Sequence, residues 1–79
     1  MTTHSNAILA QVAEVADSNY ALLVSLSAML EEQGEHAVLR FIRKVPESGD
    51  ALWARFEAFR GTRKHIHFRD FFATICVPE

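Results

Sequence analysis

The residues with the most capacity for chemistry crowd into one stretch, RGTRKHIHFRDFF at 60–72. It combines Arg60, Arg63, Lys64 and Arg69 with His65, His67, Asp70 and the phenylalanines Phe68, Phe71 and Phe72. Such a mixture could bind a metal, support nucleophilic catalysis, bind a polyanion or recognise a protein. A zinc site needs three or four ligands at about 2.0–2.3 Å. His65 and His67 reach one metal together only from an extended backbone, because residues two apart on a helix point in nearly opposite directions. The other soft ligands are Cys76, His36 and His4, with no Cys-x-x-Cys or His-x-x-x-His spacing beside them. The sequence therefore predicts no metal site and no cofactor.

Nucleophilic catalysis needs a thiol or hydroxyl activated by a base. Cys76 lies in ATICVP, the setting of a small buried hydrophobe. Gly34, Gly49 and Gly61 stand too far apart to form a phosphate-cradling loop, and no Gly-x-Ser-x-Gly occurs. The expectation is a protein that is not an enzyme.

Basic side chains supply most non-specific affinity for nucleic acid by neutralising phosphate. The segment 60–69 has them, but the sequence pI is only about 6.0, and nucleic-acid binders are usually strongly basic. Protein recognition fits better, since Arg and aromatic residues anchor interfaces. We expect a small regulator, adaptor or inhibitor that binds another protein. The contact would be an amphipathic helical surface, an apolar helix face in the centre with Trp53 among its binding residues, and Arg60, Arg63, Lys64 and Arg69 at its edge. The alternative is binding of nucleic acid or another polyanion through 60–69.

The net charge of −2 conceals a division. Residues 1–39 hold Glu14, Asp17, Glu31, Glu32 and Glu35 but no Lys or Arg. All eight basic residues follow, beside Glu47, Asp50, Glu57, Asp70 and Glu79. Such asymmetry points to directed contacts, between copies or with an anionic partner. A chain of 79 residues predicts one domain. Its single cysteine excludes an internal disulfide. The start, MTTHSN, lacks the positive residues of a signal peptide. The longest uncharged internal run, residues 18–30, is too short to span a bilayer. These features predict a cytoplasmic protein.

Helices must position the segment. Ile8, Val12, Val15, Asn19, Leu22, Leu26, Met29 and Gln33 recur at alternating intervals of four and three, a helical stripe. Asp17, Ser18 and Asn19 are three weak helix formers in a row, each able to cap a new helix. An unbroken helix over 7–33 would be roughly 40 Å long, and a chain of this length forms a globule about 30 Å across. Two readings follow. A continuous helix would pair with a second copy through Val12, Val15, Asn19, Leu22, Leu26 and Met29, with Asn19 setting register. A broken one would use Asn19 as an N-cap.

Residues 35–45 form a second amphipathic helix, stopped by Pro46, with Arg40, Arg43 and Lys44 opposite Val38, Phe41, Ile42 and Val45. A third runs from a cap at Asp50 to about Arg60, with Leu52, Phe56 and Phe59 on one face and Gly61 ending it. HIHFR alternates like a strand, but Phe68, Phe71, Phe72 and Ile75 follow helical spacing, which predicts a helix from about 66 to 76. The expected fold is all-α: a small, homodimeric helical bundle with a long amphipathic first helix, possible break at 17–19 included.

Overall fold

The computed structural model describes residues 6–76, which form five helices and no strand. Helices α1 (Asn6–Ala16) and α2 (Tyr20–Gln33) fold against each other, followed by α3 (Glu35–Lys44), α4 (Gly49–Arg60) and α5 (Phe68–Ile75). His4 and Glu79, named above, lie outside the described residues.

The long first helix gives way to two. The chain breaks at Asp17–Asn19, and α1 is 11 residues long. Asp17 takes the left-handed conformation, φ 54°, which short polar side chains tolerate best. Asn19 then starts α2: its Oδ1 accepts from the Leu22 N–H at 2.7 Å, an N-cap bond. Its Nδ2 donates to Asp50 Oδ1 at 2.6 Å, tying the start of α2 to the start of α4. Asn19 is therefore a cap and a tether, not a register residue in a seam between copies. The longest dimension is 35 Å, shorter than the roughly 40 Å an unbroken 27-residue helix would need.

The break folds the stripe inward. Val12, Leu22, Leu26 and Met29, assigned above to self-association, are 0–3% exposed in the chain's own core, and Val15 packs partly against it. Each half of a broken amphipathic helix can bury its face on the other half and on α3–α5, so this face needs no second copy.

Glu35 begins α3, and Arg43 and Lys44 end it, complementing the helix dipole. Gly34 lies between α2 and α3 at φ 92°, a region open to glycine. Helix α4 starts one residue before Asp50, with Ser48 at the cap position and Asp50 engaged by Asn19 instead. Helix α5 starts at Phe68, two residues later than the periodicity predicts. The backbone N–H of His67 donates to Asp70 Oδ2 at 2.9 Å, so an acidic side chain steadies that start.

One apolar cluster joins all five helices, and no polar or charged residue among the described ones is buried. Its centre is Phe41, fully buried, stacked on Phe72 at 4.8 Å and edge-on to Phe68 and Phe71 at 5.8 and 6.1 Å. Aromatic pairs in these geometries each add about 0.5–1.5 kcal/mol beyond simple burial. The three phenylalanines of the opening stretch thus spend their side chains on the core.

Candidate functional site

Helix α4 and the 61–67 loop carry four of the five predicted contact residues, Trp53, Arg60, Arg63 and Lys64. Trp53 is half-buried, stacked nearly parallel on Phe68 (6.1 Å, 9°) and tilted on Phe56 at 5.0 Å. Arg60 follows seven residues later, which returns it to the same flank of α4. Its guanidinium lies 5.2 Å from the Phe56 ring centre and 3.7 Å from Glu57 Oε2. Arg63 sits 5.7 Å from the Phe59 ring. Its Nη2 donates to Phe59 O at 2.6 Å and its Nε to Arg60 O at 3.3 Å. A basic residue here satisfies carbonyls that the end of α4 leaves open. Lys64 is exposed in the following turn.

A third guanidinium, Arg55, lies 6.0 Å from Phe71 and pairs with Glu47 at 3.0 Å. Three arginines therefore rest on one connected set of rings, because Phe71 lies within 5.7 Å of both Phe56 and Phe59. Cation–π contacts at exposed sites contribute about 0.5–1 kcal/mol each. Their larger effect here is to hold charged groups in fixed positions at the surface.

Arg69 lies away from the other three. It reaches Glu32 on α2 at 3.7 Å, with both side chains about half exposed. It separates two clefts. One, about 290 Å³, runs between α2 and the start of α5 along Val24, Ala28, Met29 and Phe68. The other, about 260 Å³, lies between α3 and α5. Arg40 and Gln33 line that second cleft. Periodicity places Arg40 on the polar side of its helix and carries no trace of the pairing of α3 with α5 that makes this cleft.

Cys76 borders the second cleft, its Sγ donating to Ala37 O at 3.5 Å. Burial pushes its thiol pKa above the ordinary value, against the opposing pull of Arg40 and Lys44. His65 lies in the loop and His67 at the start of α5, neither within a helix. Among the described residues no group of three His, Cys, Asp or Glu comes together to hold a metal ion, and no helix is long and apolar enough to cross a membrane. No family model matches the chain, and comparison with curated proteins and with solved structures finds no match.

Proposed function

We propose that this chain is a non-enzymatic regulator, adaptor or inhibitor that acts by binding another protein through Trp53, Arg60, Arg63, Lys64 and Arg69. The observation that carries the reading is the seating of Arg60 and Arg63 on aromatic rings while both remain accessible. Binding ordinarily costs about 0.5–1.5 kcal/mol for each long side chain that must be immobilised. Arginines already held by rings and carbonyls escape much of that cost. Trp53 adds a partly exposed aromatic surface beside them, and Trp and Arg are the residue types most often found as interface anchors. Glu57 and Asp70 intersperse the arginines with negative charge, which favours a partner of mixed charge over a uniform polyanion.

The test is a pull-down from cell lysate with wild type and an Arg60/Arg63/Arg69→Glu variant whose fold is checked by circular dichroism. The reading requires a partner captured by wild type, lost with the variant and retained after nuclease treatment. A partner that disappears with nuclease supports the nucleic-acid alternative and refutes this one.

A further inference from the structure

We propose that the cleft between α3 and α5 is a carboxylate-binding site that seats one acidic side chain from a partner protein. Ala37, Arg40 and Lys44 recur at three and four residues along one edge of α3, and Arg69, Ala73 and Cys76 at four and three along the facing edge of α5. The two alanines leave the space, and the two arginines flank it.

Charge, shape and an existing contact support this assignment. Among the described residues no carboxylate pairs with Arg40, which is exposed on α3. Among the described residues Arg69 pairs with one carboxylate, Glu32, at 3.7 Å in a half-exposed contact, and Glu32 lines the neighbouring cleft between α2 and α5. Lys44 Nζ donates to Ile75 O at 3.3 Å and keeps the far end of the seam positive. Guanidinium groups match carboxylates in planar geometry better than any other side chain does. At about 260 Å³ the cleft is below the roughly 300–1,000 Å³ of pockets for drug-sized ligands. It has ample room for an acidic side chain. Phe72 and the alanines offer an apolar floor for methylene groups, and Gln33 an amide donor at the rim. Burial favours the neutral thiol of Cys76, so this wall adds no negative charge near neutral pH.

That the acid belongs to a protein rests on the binding reading above; the carboxylate site itself does not. The test is a titration of the full chain, followed by ¹⁵N–¹H NMR, with a blocked alanyl-glutamyl-alanine tripeptide and its glutaminyl counterpart. We expect saturable shifts at Ala37, Ala73 and Cys76 with the acidic peptide only, weakened by added salt. Arg40→Gln should weaken binding about three- to tenfold, the range for charge-assisted bonds at a part-exposed site. Arg40 is exposed, so the variant should keep the fold. Glu32→Gln should strengthen binding by releasing Arg69. The proposal is overturned by no saturable shift at those residues, by an equal response to the glutaminyl peptide, or by an unchanged affinity in Arg40→Gln. It is also overturned if inorganic phosphate or short single-stranded DNA gives the same shifts at lower concentration. Absent tripeptide binding with an intact pull-down removes this site alone, whereas tripeptide binding with no captured protein removes the partner reading alone.

Discussion

Replacing Asn19 by alanine removes two bonds that hold different parts of the fold. The first is the α2 N-cap, Asn19 Oδ1 to Leu22 N–H at 2.7 Å. Losing a cap of this kind costs about 0.5–2 kcal/mol, typically near 1. The second is the 2.6 Å bond from Asn19 Nδ2 to Asp50 Oδ1. It is charge-assisted but exposed, so solvent screening limits it to about 0.5–1 kcal/mol. The side chains are coupled through one residue, and about 1.5–2 kcal/mol is the expected total. For a domain of this size 1 kcal/mol moves the melting midpoint by about 4–8 °C, so Asn19→Ala should lower it by roughly 6–16 °C. Circular dichroism melts in dilute buffer measure this directly. Asn19→Asp separates the parts, since it keeps the cap acceptor and sets two carboxylates face to face. It should fall between wild type and alanine at low salt and recover when salt is added. Asn19→Leu gives the opposite sign on the alternative fold: in a seam between copies, leucine would stabilise and promote oligomers. An unchanged midpoint in Asn19→Ala, or a more stable oligomer in Asn19→Leu, would refute the broken-helix account.

Other positions test separate links. Gly49 has φ +57°, and a Cβ there would lie 3.2 Å from the Asp17 Cβ; Gly49→Ala should cost about 1–3 kcal/mol by urea titration, through left-handed strain and crowding. Phe41→Ala empties the centre of the aromatic cluster and should cost about 3–5 kcal/mol, enough to unfold much of a small domain at 37 °C. Cys76 should react with iodoacetamide with a midpoint shifted to higher pH in the folded chain than in urea, because burial raises its pKa above 9.0. The sign for stability follows: this contribution is fully present below the unfolded pKa and is lost as pH rises through the folded one. An identical pH midpoint in both states would show that the thiol is not held in the α3–α5 seam.

Much of the fold is legible in the sequence, and the failures have one cause. The interval pattern of the first stripe marks its buried residues correctly on both sides of the break, since Ile8, Val12, Leu22, Leu26 and Met29 are all core. It cannot report what covers them: amphipathicity is a property of one helix, and packing is a property of two. The poor helix formers at 17–19 and the length mismatch with the globule carried the missing information, so Asn19 had to be read with its neighbours and not by heptad position alone. The last helix shows the same competition between signals. In HIHFR the first three residues are loop and cap, and the 3.6-residue period begins only at Phe68. The site is less legible. Arg60 and Arg63 each lie over a ring four residues earlier, Phe56 and Phe59, a local spacing, whereas the seat of Arg55 on Phe71 comes from the packing of α4 on α5. Arg40 and Arg69 face one cleft across 29 residues of sequence, a proximity that no local pattern encodes.

The location of the binding surface is the central claim, and site-specific photo-crosslinking tests it most directly. A photoreactive amino acid in place of Lys64, exposed beside the ring-seated arginines, is compared with one in place of Ala13, exposed on α1. Both positions are solvent-facing, so both variants should fold as wild type does. The account predicts a protein adduct from position 64, abolished by Arg60→Glu and resistant to nuclease, and none from position 13. An adduct formed from position 13 alone, or an adduct at 64 that consists of nucleic acid, would contradict it.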